Sequence, residues 1–329
     1  MKDNKKSKEL ISNDKKNLKK TDRKLIINPL FFIVIITYFV TRILQVFTGT
    51  QHFWSRLWNK IIDVIGDEPF GVYVVWTTIF SFCVYWIFGS IFTFMDLTLS
   101  PKSLRKYKVQ PNTNEAIDKK TLFDAIKVIL FNQIFVGIPL AYFGYYVKRR
   151  KGFPENFRDV PGFERVVLDL IVCILVDEIG FYYSHRLFHK GFFYKHIHKQ
   201  HHLWQSPIAI TATYCHPIEH MLSNVLPVAG GSMIMQSHTS VQWIWITIAI
   251  LTTLNNHSGY HLPFSHSSEF HDFHHLKFVE CFGKLGLLDR LHNTDKLFRE
   301  TINSSRHRVL FSLKSARERY PDRVVKKTL

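Results

Sequence analysis

HRLFH at residues 185–189, HKQHH at 198–202 and HDFHH at 271–275 decide how this chain reads. Spacings of three and four put side chains on one face of a helix, so each string offers two or three imidazoles to a single point. Further pairs stand at His216 and His220 and at His257 and His261, with His238 and His266 between groups. A lone histidine on such a face is ordinarily a hydrogen-bonded core or surface residue. Five groups in one region are different, because neutral imidazole is a ligand suited to iron, zinc and copper. Zinc needs only three or four ligands, so the count favours two irons. A histidine-lined ion path through a membrane is disfavoured, because the HxxHH strings lie outside the apolar blocks.

Outward from the histidines, the 329 residues are 46% hydrophobic, close to a soluble average, but the apolar residues come in long blocks. The basic excess is 43 − 26 = +17. Nucleic acid is one reading of that charge; a membrane face is the better one, because the Lys and Arg residues flank apolar blocks. Cys83, Cys173, Cys215 and Cys281 show no CxxC spacing, and so imply neither a disulfide framework nor a thiolate metal site.

Residues 2–24 hold ten Lys or Arg and four acids, which predicts a disordered cytosolic arm over 1–25 rather than a signal peptide. N-terminal membrane helices and connectors are expected over 26–164. The first apolar block runs from Pro29 to about Phe47; Val72 to Met95 gives 24 residues without a charge, and Val128 to Val147 gives 20, with a kink expected at Gly137 and Pro139. Val166 to Ser184 is apolar apart from Asp169, Asp177 and Glu178 and leads into His185. Met221 to Asn256 has 36 residues without Asp, Glu, Lys or Arg, too long for one crossing, and Gly230-Gly231-Ser232 sits near its middle. A helical hairpin is the economical reading, and it returns the later histidines to the side of the earlier ones. Five or six membrane segments result. The Lys148-Arg149-Arg150-Lys151 run conflicts with simple alternation, so one of the first four blocks is expected to be re-entrant or interfacial.

Glu178 lies seven residues before His185, on nearly the same helical face, where a carboxylate can orient a ligating imidazole. A salt-bridged position in the bundle is the competing reading. His292 and Asp295 recur in the string LDRLHNTD, and Asn255 and Asn256 stand beside His257 as groups able to hydrogen-bond a metal-bound water.

The three histidine strings, with FYYSHRLFH, ATYCHPIEH, HSGYHLPF and EFHDFHHLKF, resemble the membrane fatty acid hydroxylase superfamily over about residues 165–299. That superfamily includes sterol C4-methyl oxidases, sterol C5-desaturases and sphingolipid hydroxylases. The likeness is greatest to a branch of fatty acid hydroxylase domain-containing proteins related to sterol C4-methyl oxidases. It implies an all-α, polytopic helical membrane protein of the endoplasmic reticulum, with a cytosolic histidine-rich cap over a dimetal centre and a basic cytosolic tail over 300–329. By the family pattern the metal ligands are His185, His189, His198, His201, His202, His257, His261, His271, His274 and His275. HPIE resembles a string of the sterol-acting members, which places His216 beside the site, with Glu178 and Asn256 as further supporting residues. One departure stands out: sterol C4-methyl oxidases usually read HSGYD where this chain has HSGYH, whereas acyl and sphingolipid hydroxylases have a histidine at the position of His261.

The resemblance implies O2-dependent oxidation of an unactivated methyl or methylene at two iron ions, with C4-methyl sterols as the leading substrate. Fatty acyl or sphingolipid hydroxylation, sterol desaturation and a non-catalytic lipid-binding scaffold are the alternatives. There is no GxGxxG and no HPGG haem string, so electrons from NAD(P)H are expected through an external donor; the resemblance implies that this donor is cytochrome b5 with its reductase. A membrane lipid or sterol is the expected substrate, and no nucleic acid partner is expected. The end Lys326-Lys327-Thr328-Leu329 resembles a dilysine retrieval signal, which requires a cytosolic C-terminus.

Overall fold

The long apolar blocks form the long helices of an all-α chain. The computed structural model describes residues 51–114, 117–152 and 156–322; the first apolar block, the basic arm and the dilysine end lie outside them. Among the described residues no strand forms, only one bridge between Lys108 and Tyr260. The longer helices are α1 (51–65), α2 (Gly71–Thr98), α3 (Lys119–Arg150), α4 (Phe163–Phe188), α5 (217–235), α6 (Thr239–His257) and α7 (Glu269–Lys277).

Helices α2 and α3 are long and apolar enough to cross a membrane, and only 22% and 11% of their most apolar stretches are buried. In α3 a π-turn at Asn132–Gly137 precedes Pro139, so the missing proline N–H falls where the regular ladder is already interrupted. The helix stays continuous through the expected kink. Asn132, fully buried, donates from Nδ2 to Thr213 O at 3.1 Å and Cys215 O at 2.8 Å. Tyr85 of α2 donates to Ile210 O at 2.6 Å. These bonds pin the segment before His216 against the apolar layer.

Helix α4 is polar on its inner face. Asp169, Cys173, Asp177, Glu178, Phe181, Tyr182 and His185 are buried, while Leu168, Ile171, Leu175, Ile179 and Tyr183 are exposed at helical spacing. Such an outward apolar stripe suits a hydrocarbon surrounding better than water. Of the five or six expected membrane segments, the described residues give two that meet both length and apolarity; α4 is long enough but carries four acids, Glu164, Asp169, Asp177 and Glu178.

The expected hairpin is present, but its turn is at 236–238 rather than at Gly230-Gly231. Gln236 takes the left-handed conformation (φ 50°) that ends α5, and α6 begins at Thr239. Gly231 instead lets α5 press onto α4: a Cβ there would lie 2.4 Å from Cys173 Cα. The hairpin brings the C-terminal end of α6 to that of α4.

Candidate metal centre

Nine imidazoles converge in two groups. His185, His189, His198, His202 and His274 form one; His201, His257, His271 and His275 form the other. The helical period sorts them. Every i, i+4 pair shares a group: 185 with 189 at the end of α4, 198 with 202 in the 3₁₀ turn His198–Leu203, and 271 with 275 in α7. The third histidine of each triple, His201 or His274, is rotated into the other group. The turn and α7 therefore each serve both groups.

All nine turn Nε2 inward. In the first group, Nε2 of His198 lies 3.1 Å from that of His185, 2.8 Å from His189 and 2.9 Å from His202, and Nε2 of His189 lies 3.2 Å from His202 and 3.1 Å from His274. In the second, Nε2 of His257 lies 3.3 Å from that of His201 and 2.9 Å from His271, and His271 lies 3.1 Å from His275. The outer nitrogens set this tautomer. Nδ1 of His185 donates to Phe282 O, His274 to Glu280 O, His275 to Trp204 O, His201 to Tyr214 O and His257 to Thr253 O. A ring nitrogen facing a carbonyl must carry the proton, so each Nε2 presents a lone pair.

Burial, reinforced by neighbouring imidazoles, holds His189 down to about 2, and burial holds His201 to about 4; His202, His271 and His275 also sit well below the ordinary histidine value. The rings are therefore neutral at pH 7, and lone pairs face one another with no proton between them. A cation removes that conflict. With metal–nitrogen bonds of about 2.1 Å and right angles between neighbours, adjacent nitrogens fall about 3.0 Å apart, which matches the spacings of both groups. Five nitrogens exceed the four that zinc takes, and imidazole suits iron. The donor set fits two irons.

A small cavity of about 30 Å³ lies against both groups, touched by His185 of the first and by His201, His257 and His271 of the second. Phe181, Ala212 and Thr253 give it apolar wall, while Asn256, Glu219 and Lys284 bring polar groups. It has room for a water-sized molecule beside the inward nitrogens. Lys284 is tied off: its Nζ donates to both Asp177 oxygens at 2.8 Å.

His261 belongs to neither group, contrary to the ligand set that the resemblance implies. Spacing of four counts only while a helix continues, and α6 ends at His257; Gly259 (φ 69°) turns the chain back. His261 Nε2 donates to Arg308 O at 2.9 Å, and Nδ1 lies 3.6 Å from Glu269 Oε1. HSGYH therefore supplies one grouped histidine, and its second histidine braces the C-terminal segment.

His216 likewise moves from the site's edge to a helix end, where its Nδ1 accepts from Ile218 N. The residue that reaches the first group is Glu219, whose Oε1 lies 2.8 Å from Nδ1 of His198 in a bent contact. No spacing in the sequence marks it, because its partner is on another element. Glu178 contacts no imidazole; its Oε2 accepts from Lys284 N and Leu285 N, so the expected carboxylate–imidazole bond is replaced by one to backbone. Asn256 is buried in the cavity wall, whereas Asn255 donates to His266 O and faces away.

Residues 170–294 match the family model described as Fatty acid hydroxylase. Fatty acid hydroxylase domain-containing protein 2 of Homo sapiens is 38% identical over 284 residues, covering 86% of this chain and 85% of that protein. Fatty acid hydroxylase ahd1 of Mycosarcoma maydis is 35% identical over 70% of this chain and 60% of its own length. Methylsterol monooxygenase 1 of Danio rerio is 32% identical over 75% of this chain and 86% of its own length. No solved structure matches. Likeness along most of two chains, joined to two groups of inward imidazoles that fit two irons, carries one conclusion: this protein belongs to the fatty acid hydroxylase/sterol desaturase superfamily and is an enzyme of its di-iron hydroxylase class.

Proposed function

We propose that this enzyme hydroxylates an unactivated C–H bond of a membrane lipid, with an acyl chain as the leading substrate class and the nine grouped histidines as metal ligands. The overall change is R–H + O2 + 2 electrons + 2 protons to R–OH + H2O. The observation that carries the proposal is the pair of inward imidazole groups, which fit two irons and meet at a small cavity walled in part by Phe181 and Ala212. When bound, the irons supply the reduction of O2 and the removal of hydrogen from carbon. The chain does the rest. Carbonyls at 204, 214, 253, 280 and 282 fix the ring planes, Phe181 and Ala212 keep water from the reacting carbon, and Asn256 offers an amide to a small ligand.

The sterol reading, first from sequence alone, becomes second. Two relatives above carry fatty acid hydroxylase in their names, against a lower identity to the methylsterol monooxygenase. That relative matches over 86% of its length, which keeps C4-methyl sterols as the specific alternative. The outward apolar surfaces of α2, α3 and α4 support a membrane enzyme; its place in the endoplasmic reticulum, its multiple passes and the cytosolic side of its histidine cap and termini follow from the family resemblance. Electrons then come from NAD(P)H through an external donor of the cytochrome b5 type, steered by the basic surface.

Lipid profiling tests the reading. Cells lacking the protein are compared with cells re-expressing the intact form or the double variant His274→Ala, His275→Ala. Loss of hydroxylated acyl species, restored only by the intact form, is expected. Accumulation of 4-methylated sterols with unchanged acyl species would replace it with the sterol reading, and an unchanged profile of both would sink it.

A further inference from the structure

Two imidazoles of the five-histidine group take their orientation from one short loop. His185 Nδ1 donates to Phe282 O and His274 Nδ1 to Glu280 O, each at 2.7 Å. The loop at 280–285 lies outside any helix, and Cys281 is held at φ 64°. Left to packing alone, such a segment has slack of an ångström or more, whereas a ligating nitrogen needs placement to about 0.5 Å.

Its five successive N–H groups are all held. Cys281 N donates to Thr294 O; Phe282 N and Gly283 N donate to the two oxygens of Asp289 at 2.8 and 2.7 Å; Lys284 N and Leu285 N donate to Glu178 Oε2 at 3.1 and 2.9 Å. Both carboxylates are buried, Asp289 at 0% exposure and Glu178 at 3%. Glu178 and His185 stand two turns apart on one face of α4, so that face grips the loop twice, taking N–H groups with the carboxylate and giving an N–H with the imidazole. Gly283 leaves no room for a side chain: a Cβ would lie 2.7 Å from Asp289 Oδ2 and 3.0 Å from Glu178 Oε1.

We propose that Glu178 and Asp289 are positioning residues for the five-histidine group, acting through the 280–285 loop on the rings of His185 and His274. The proposal rests on the reading that this group holds an iron. The two carboxylates are unequal in a way that makes it testable. Asp289 uses both oxygens, and Oδ1 also accepts from Thr294 Oγ1, whereas the two backbone donors that reach Glu178 share Oε2 and Oε1 has no partner. An amide in place of Asp289 must turn its NH2 against a backbone N–H; an amide in place of Glu178 keeps the one oxygen in use.

The experiment is iron per chain, with Mössbauer spectra, on the full-length protein in detergent micelles. The intact protein is expected to hold two irons with a coupled signature. Glu178→Gln keeps both. Asp289→Asn, Glu178→Leu and Gly283→Ala lower affinity of one iron about 10–100-fold, leaving a single uncoupled iron in the four-histidine group. Two irons with the intact signature in all these variants would overturn the proposal while leaving the metal reading in place. Equal loss from both groups would also overturn it, assigning the carboxylates to general stability. An intact protein that binds no iron removes the metal reading and the proposal with it.

Discussion

The two histidine groups differ in number, in support and in exposure to the cavity. The first has five nitrogens, receives a whole i, i+4 pair from α4, and is backed by the Glu219 carboxylate and the braced loop at 280–285. The second has four, takes a single residue from α6, leans on carbonyls alone where its partners are defined, and gives three of its members to the cavity wall. On the proposed function, the first group is the better braced and the second gives the cavity more of its wall. The same helical spacing made both, so the difference comes from what stands behind the rings.

The largest expected effect that breaks this comparison is removal of a shared neighbour. His198 Nε2 touches three others in its group, so His198→Ala is expected to lose one iron and all measurable turnover. His271→Ala is expected to lose the other iron and turnover as well, with the first group's spectrum kept. Loss of both irons from either variant would mean the groups are one site.

Acid is expected to act on both groups. His201 is held to about 4 and His189 to about 2, both by burial first, so the folded chain binds fewer protons than the unfolded chain once pH falls below about 6.5. Stability of the iron-free protein is thus fully present above that value and is lost as pH falls toward 4 and below. Melting temperatures should be level from pH 7 to 8 and decline below 6.5; a level profile down to pH 5 would contradict the neutral, buried rings.

Glu219→Gln sharpens the difference in support. It replaces the buried carboxyl beside His198 by an amide and is expected to weaken the first iron about 10–100-fold with the second unchanged, read by stepwise chelation. The smallest effect belongs to His261→Asn, which should keep both irons and cost about 1 kcal/mol of stability, since it removes one hydrogen bond to Arg308 O. Iron loss in that variant would return His261 to the ligand set.

Much of this architecture was legible in the sequence. Periods of three and four brought nine histidines together, and an uncharged run too long for one crossing gave the hairpin. Spacing failed where the helix did not last: HSGYH looks like an i, i+4 pair, but its own glycine is the signal that the helix stops. Gly230-Gly231 looked like a turn and is a helix contact, because a close approach and a turn both ask for a missing side chain; Gln236, with no such mark, makes the turn. Glu219 and the loop at 280–285 were hidden because their partners are far along the chain. The cavity wall is drawn from α4, α6 and the segment before His216, and no single motif contains it.

The most direct test of the central claim is iron K-edge absorption on the full-length protein purified with its native metal, alongside metal content. Two irons per chain with a first shell dominated by nitrogen near about 2.1 Å, and with multiple-scattering from imidazole, is the result predicted. One metal per chain, or a shell rich in sulfur or carboxylate oxygen, would contradict it.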